Sequence, residues 1–229
     1  AVLDFYETPH TPLLVYKLSV LTNLLLSQRG SFGDIAASSF GGIVYYTSPD
    51  RSSLLEQLQN QSIKVICDAD WKDLLIERLP EIPNFTLLVG WTGQVAITDS
   101  LIQATEKKRK VKTDSAFYKE FLAKSHAIVQ DLQSAWNIQD IPALQEGIRA
   151  NRALLNEFAQ VMQLEIETPA LQTLCNLAEQ NGACAKTSGA GGGDCGICFT
   201  QNETQRQQIE TQWAKAQIQV LPLSIAEAW

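Results

Sequence analysis

The feature that most constrains this sequence is the stretch KTSGAGGGDCGIC at residues 186–198, which holds five of the chain's thirteen glycines. It lies between two segments of strand character, ACAKTS and CGICFT. Bare backbone at this density predicts a turn between two strands, formed around the glycines. At the outset the stretch is compatible with a phosphate cradle, a dinucleotide fingerprint, a redox Cys-x-x-Cys pair or a flexible linker.

The context of the glycines argues against several nucleotide and redox sites. GGGDCG formally satisfies G-x-G-x-x-G, but that fingerprint opens a helix, whereas ICFT continues as a strand. In a Walker A loop the lysine follows the last glycine, whereas Lys186 precedes the run. Cys195 and Cys198 stand at the base of a strand, where a thioredoxin-type pair is not expected. An anion-binding loop, with Ser188 and Lys186 adding a hydroxyl and a charge, stays open beside a turn without a ligand.

Composition limits the classes of function. The chain has 229 residues, a net charge of -7 and an isoelectric point near 4.9, which disfavours a nucleic-acid partner. Its apolar runs are far shorter than the roughly 18 residues of a membrane span, so no membrane segment is predicted. An odd number of cysteines, five, favours a reducing compartment and a cytoplasmic location. The start AVLDFYETPH does not resemble a signal peptide and is typical of the end of a helix that begins earlier.

Hydrophobic periodicity predicts the order of the elements. Leucines and valines at spacings of three, four and seven predict a helix over 12–28. Pro80 and Pro83 suggest a domain boundary near residue 82, giving domains 1–81 and 82–229. Further helices are predicted near Thr98 and over 114–136, 140–163, 168–181 and 203–216. Strands are predicted at GIVYYTS, SIKVICDA, DLLIERL, FTLLVGW, ACAKTS, CGICFT and IQVLPL.

After residue 82 the predicted order is strand, helices, strand, strand, helix, strand. This is the order of a split βαβ, ferredoxin-like sandwich enlarged by extra helices, in the α+β class. Two more small-residue turns accompany the glycine run: GSFGD, with Asp34 at the head of a short helix, and GWTGQVAIT. Three such turns at the ends of strands or helices suggest a single concave site.

These segments resemble the motifs of the GHMP kinases. AKTSGAGGGDCGI is similar to the third motif of that superfamily, and the aspartate after the glycines is typical of the bacterial phosphomevalonate kinase family. GSFGDIAASSFGGIVYYTSPD is similar to its substrate motif, and LLVGWTGQVAITDSLI to the opening of its second domain. The resemblance implies a two-domain fold, with residues 1–81 as the end of a ribosomal S5-like domain and 82–229 as the C-terminal GHMP domain.

The resemblance also implies an activity: transfer of the γ-phosphoryl group of ATP, with Mg²⁺, to (R)-5-phosphomevalonate in the mevalonate route to isoprenoids. The family's main ATP loop, of the type Pro-x-Gly-Leu-Gly-Ser-Ser, has no counterpart in this sequence. We therefore expect either a C-terminal fragment or a companion chain that carries this part, and no ATP turnover by the chain alone. A non-catalytic small-molecule-binding module of the same fold is the alternative.

The matched positions carry the expected roles. Asp34 is the catalytic candidate, as a residue that orients a cation, with a plain helix N-cap as the alternative. Asp194 would help to hold Mg²⁺ or would close the loop by accepting backbone N–H bonds. Arg152, expected on the exposed or cleft-facing side of a long helix, would reach a substrate phosphate. The expected substrate-binding residues are Ser31, Gly33, Ser188, Gly189, Ala190, Asp194 and Arg152. The expected ATP- or phosphate-binding residues are Lys186, Gly191, Gly192 and Gly193, with a solvated surface charge as the alternative for the lysine. The metal ligands stay unassigned.

Overall fold

The structure, a computed structural model, describes residues 3, 6–28, 30–93, 116–189 and 191–227. The chain divides into two compact units, one formed by Ala1–Glu81 with Ile225–Trp229 and the other by Ile82–Ser224. The end of the chain thus groups with the first unit, where the Gly42 amide donates to the Ala226 carbonyl at 2.9 Å. The predicted helix near Thr98 lies outside the described residues.

The first unit combines four helices and a two-stranded sheet within its described residues. Its elements are α1 (Pro12–Leu25), α2 (Gly33–Phe40), β1 (Ile43–Thr47), α3 (Arg51–Asn60), α4 (Ile63–Asp68) and β2 (Leu75–Leu79). The two strands are antiparallel, with Ile43 opposite Leu79. The core forms where α1 packs its buried face on α2 and α4 around Tyr16 and Trp71.

One strand prediction in this unit is wrong. SIKVICDA forms α4 because Ser62 caps a helix there, its side chain accepting from the Val65 amide, and the turn buries Ile66 and Cys67 side by side. A run of β-branched residues this short fits a buried helix as well as a strand. Helix α3, capped by Asp50, was not predicted.

The second unit contains the elements that position the glycine run. They are β3 (Thr86–Trp91), α5 (Ala116–Asn137), α6 (Ile141–Met162), α7 (Pro169–Gln180), β4 (Cys184–Thr187), β5 (Cys195–Thr200), α8 (Glu203–Lys215) and β6 (Gln219–Leu221). The strand order is β4-β5-β3-β6 and every pairing is antiparallel. This is the split βαβ order predicted from the sequence. Among the described residues, no helix has the length and apolar character to cross a membrane.

Two glycines face each other in the centre of this sheet and let helix α7 approach closely. Gly90 of β3 is opposite Gly196 of β5. A Cβ atom at Gly90 would lie 2.8 Å from the Leu174 side chain, and one at Gly196 would lie 2.6 Å from it. Leu174 is fully buried, together with Trp213 of α8. The glycine of CGIC is therefore required by packing in the core.

Candidate functional site

The glycine run forms a loop that joins β4 to β5 and is fixed at three points. At its base, the Ser188 amide donates to the Cys195 carbonyl at 2.9 Å. In its middle, the Gly192 amide donates to the carbonyl of Ile166, just before α7, at 2.7 Å. At its end, the Asp194 carbonyl accepts from the amide and the hydroxyl of Thr92, both at 2.9 Å. The GWTG turn after β3 is thus hydrogen-bonded to the end of the glycine loop.

The two halves of the loop differ in exposure. Gly191 and Gly193 are buried, whereas Ser188 and Gly189 are exposed. A Cβ atom at Gly191 would lie 2.3 Å from the Ile166 carbonyl oxygen, but one at Gly189 would meet no heavy atom within 4 Å. The Ser188–Gly189 corner therefore faces open space, where a hydroxyl and backbone amides can meet an anionic oxygen. Ala190 lies outside the described residues.

Lys186 stands on β4 immediately before this corner. Its side chain is half-buried, and its Nζ atom donates to the Thr187 carbonyl at 2.9 Å. Desolvation lowers the pKa of the ammonium group. No carboxylate of the described residues forms an ion pair with it. This environment differs from that of a solvated surface lysine, and it favours binding of an anion.

Asp194 closes the loop through its backbone and not through its side chain. Its φ angle of 60° turns the chain into β5, and its carbonyl accepts the two bonds from Thr92. The exposed carboxylate has one contact in the described structure, with the Cys195 Sγ atom at 3.7 Å. No backbone N–H of the described residues donates to this carboxylate, so its expected roles in closing the loop and toward Mg²⁺ both stay predictions.

The two cysteines of CGIC lie in different environments. Cys198 is completely buried, and burial strongly raises the pKa of its thiol. Cys195 is half-exposed, and partial burial followed by the Asp194 carboxylate raises its thiol pKa. Both shifts disfavour the thiolate that redox chemistry and metal binding require. The described residues contain no group of three histidine, cysteine or acidic side chains placed to hold a metal ion.

In the first unit, Ser31, Gly33 and Asp34 form the turn that opens α2. Phe32, with a φ angle of 64°, is the N-cap, so the interpretation of Asp34 as an N-cap is wrong. Asp34 lies in the first helical turn, is exposed, and has no hydrogen-bond or ion-pair partner among the described residues. A carboxylate in this place is stabilised by the helix dipole and is free to orient a cation.

The turn is anchored to β1 by a tyrosine pair. The Tyr46 hydroxyl donates to the Ser31 carbonyl, and it also shares a hydrogen bond of 2.9 Å with the Tyr16 hydroxyl. The Ser48 hydroxyl donates to the same carbonyl at 3.2 Å. Burial, followed by the contact with Tyr46, strongly raises the pKa of Tyr16. These contacts fix the backbone of Ser31 and leave its hydroxyl exposed, where it accepts the Gly33 amide at 3.4 Å.

Arg152 is paired with carboxylates and is not an open phosphate ligand in this structure. On α6 it forms ion pairs with Glu167 and Glu179, the latter at 2.8 Å. Its side chain is 12% exposed. The interpretation of Arg152 as a substrate-binding residue stays a prediction that these contacts do not support.

The structure assembles seven predicted residues in the glycine loop and at its start: Lys186, Ser188, Gly189, Gly191, Gly192, Gly193 and Asp194. Sequence reasoning missed Ile166 and the part played by Thr92. The Thr-Gly turn after an apolar strand was a visible signal for Thr92. No local signal marks the carbonyl of Ile166 as a loop contact.

Comparison with known proteins finds a family match in the second half of the chain. Residues 128–219 match the family model described as GHMP kinases C terminal. The chain has the GHMP kinase fold, α+β with antiparallel sheets and extra helices, as the sequence predicted.

Over most of its length the chain is similar to phosphomevalonate kinases. It is 35% identical over 213 residues to the phosphomevalonate kinase of Streptomyces sp. (strain CL190), covering 92% of this chain and 56% of that protein. The Lin0012 protein from Listeria innocua is 32% identical with a TM-score of 0.90, over 96% of this chain and 61% of that one. Streptococcus pneumoniae phosphomevalonate kinase in complex with phosphomevalonate and AMPPNP is 27% identical with a TM-score of 0.83, over 96% and 63%. The chain thus spans only part of the length of these relatives.

Proposed function

We propose that this chain forms the larger part of a phosphomevalonate kinase, which transfers the γ-phosphoryl group of ATP to (R)-5-phosphomevalonate to give 5-diphosphomevalonate and ADP. The observation that carries the proposal is the glycine loop, whose open Ser188–Gly189 corner follows the half-buried Lys186, a lysine without an ion pair among the described residues. The 35% identity to a phosphomevalonate kinase supports the choice among GHMP kinases. A solved relative that holds phosphomevalonate and AMPPNP supports the two substrates.

The acceptor chemistry fits a site without a strong base. A phosphomonoester has a second pKa of about 6 and is mostly dianionic at neutral pH, so a catalytic base has little deprotonation to perform. Catalysis then depends on alignment and on neutralising charge between two anions. The positive charge of Lys186 and the loop around Ser188 would bind phosphoryl oxygens, with Gly189 allowing close approach. The phosphate-binding role expected of residues 191–193 stays a prediction that their packing does not support. Asp34 would orient a cation.

The proposal includes ATP as its magnesium complex. Mg²⁺ is commonly bound through one or two carboxylates together with substrate phosphates, so a dedicated cluster of protein ligands is not required. Asp34 and Asp194 are exposed carboxylates in the two candidate segments.

The proposal also concerns the source of the ATP loop and the domains to which the two units correspond. Because the chain spans 56% of the curated relative and lacks the family's main ATP loop, that loop would come from a further polypeptide segment or from a companion chain. Residues 1–81 would then be the end of an S5-like domain and residues 82–229 the GHMP C-terminal domain. A cytoplasmic location agrees with five cysteines that are all free thiols.

Isothermal titration calorimetry tests the proposal. We expect (R)-5-phosphomevalonate to bind the 229-residue chain saturably and Ser188→Ala to weaken binding about tenfold or more, because a hydrogen bond to a charged group is worth about 1.5–3 kcal/mol. Ser134→Ala is the matched control, since that exposed hydroxyl donates to the Gln130 carbonyl of its own helix. No binding by a folded chain, or equal weakening by both variants, would refute the assignment and leave a non-catalytic module of the same fold.

Turnover is the second test. ADP release that requires phosphomevalonate, measured after adding a polypeptide with the ATP loop, is the expected result. ATP hydrolysis that is indifferent to phosphomevalonate would contradict the proposed acceptor.

A further inference from the structure

Arg152 lies at the centre of a buried polar network on the side of α6 that faces α7. Its Nε atom donates to both carboxylate oxygens of Glu167 at 3.2 and 3.0 Å, and one terminal nitrogen donates to Glu179 at 2.8 Å. The other terminal nitrogen donates to Glu167 and, at 2.9 Å, to Asn176. The amide of Asn156 completes the network by donating to Glu167 at 2.8 Å. All three guanidinium nitrogens are therefore already in use.

The charge of this network argues against direct contact with a substrate phosphate. One guanidinium faces two carboxylates, so the cluster carries a net negative charge that would repel a further dianion. Burial opposes ionisation of Glu167, yet the hydrogen bonds from Arg152 and Asn156 dominate and lower the pKa of its carboxyl group. The carboxylate thus stays charged and tightly bound to Arg152.

The same carboxylate belongs to the segment that holds the glycine loop. Ile166, its neighbour, is 9% exposed and packs with Phe158 and Met162 of α6. The Ile166 carbonyl accepts the Gly192 amide at 2.7 Å. On the other side of Glu167, the Thr168 hydroxyl caps α7 by accepting the Leu171 amide at 3.4 Å. Residues 166–168 are thus anchored in turn to the loop, to Arg152 and to α7.

We propose that Arg152 is a positioning residue for the glycine loop, acting through Glu167 and the Ile166 carbonyl. By fixing the Glu167 side chain in a two-pronged pairing, Arg152 sets where the adjacent carbonyl points. Gly191 makes the loop sensitive to that direction, because a Cβ atom there would approach the carbonyl oxygen to 2.3 Å. The position of the exposed Ser188–Gly189 corner therefore depends on the contact between the Gly192 amide and the Ile166 carbonyl. The structural step stands alone, whereas its consequence for ligand binding rests on the proposed function.

Amide hydrogen exchange of the 229-residue chain tests the structural step without a ligand. In Arg152→Met we expect the Gly192 amide to exchange roughly five- to tenfold faster, the change that corresponds to one lost hydrogen bond. Arg206→Met is the matched control: Arg206 also pairs with a carboxylate, Glu210 at 2.8 Å, but it is 41% exposed and far along the sequence on α8. It should leave Gly192 exchange unchanged.

A second variant separates positioning from general destabilisation. Arg152→Met leaves Glu167 buried without its cation, which is costly for the whole unit. Arg152→Met combined with Glu167→Gln removes that charge and should recover most of the stability, while Gly192 remains fast to exchange. Arg152→Lys, a point charge that cannot form the fork, should be intermediate.

The outcomes distinguish a positioning role for Arg152 from direct phosphate contact. Unchanged Gly192 exchange in the folded double variant would overturn the proposal. Weaker phosphomevalonate binding in Arg152→Met with unchanged exchange would also overturn it, in favour of direct phosphate contact. Accelerated exchange in a chain whose wild type does not bind phosphomevalonate would retain the positioning role and refute only the proposed function.

Discussion

Replacing Gly191 by alanine tests how tightly the loop is fitted to its neighbour. The residue has a φ angle of 76°, where an alanine costs about 1–2 kcal/mol. Its new Cβ atom would lie 2.3 Å from the Ile166 oxygen, whereas the shortest ordinary C···O contacts are about 3.3 Å long. The loop must therefore move by about 1 Å, which breaks the Gly192 bond at a cost of about 1 kcal/mol. We expect a total loss of about 2–3 kcal/mol in the free energy of unfolding.

Gly189→Ala is the control for this experiment. Gly189 has a similar φ angle of 66°, but its Cβ atom would meet nothing within 4 Å. It should cost only the backbone strain, about 1–2 kcal/mol. Urea unfolding followed by tryptophan fluorescence gives both free energies, and amide exchange at Gly192 reports the local bond. Equal losses for the two variants, or a Gly192 amide that stays protected in Gly191→Ala, would show that the close approach to Ile166 does not constrain the loop.

Three further predictions follow from burial and ionisation. Gly196→Ala should lower the stability of the second unit by about 1–3 kcal/mol, measured by urea unfolding, because its Cβ atom would overlap Leu174 in a full core. In the native chain Cys195, the half-exposed cysteine, should react first with Ellman's reagent, with the buried thiols following only on unfolding; mass mapping that finds a buried cysteine modified first would contradict the packing. Because the folded pKa of Tyr16 is raised above its unfolded value, it contributes stability below about pH 10 that is lost as pH rises further; Tyr16→Phe should flatten that decline in unfolding experiments.

The sequence was sufficient for the topology of the second unit. Its strands are short and bounded by glycines or helix caps, and the helices α6 and α7 are strongly amphipathic, so period and order together predict the ferredoxin-like sheet. The first unit was harder. SIKVICDA has the residue types of a strand, and only the cap at Ser62 and the packing of Ile66 and Cys67 make it helical. Tertiary burial, and not local propensity, decides whether such a short apolar run forms a helix or a strand.

The candidate site was predictable where its chemistry is local. The glycine run, Ser188 and Lys186 are adjacent in sequence, so their types and spacing carry the signal. Lys186 on β4 could not be distinguished from a solvated charge, because its desolvation depends on distant elements packed around it. Arg152 was assigned to phosphate because it was expected on the exposed or cleft-facing side of a long helix, and its carboxylate partners lie 15 and 27 residues away. Partners at such separations produce no periodic pattern in the sequence from which the ion pairs could be predicted.

The glycines of the run are thus used for two different purposes, and this explains why composition alone kept so many interpretations open. Gly191 and Gly196 have no room for a side chain, since the Ile166 carbonyl and Leu174 occupy the space that a Cβ atom would need. Gly189 has that room and is exposed. A loop that is packed on one side and open at one corner presents its backbone to a ligand without losing its position. Substitutions at the packed glycines should therefore change stability first, whereas changes at the exposed corner should alter ligand affinity more than stability.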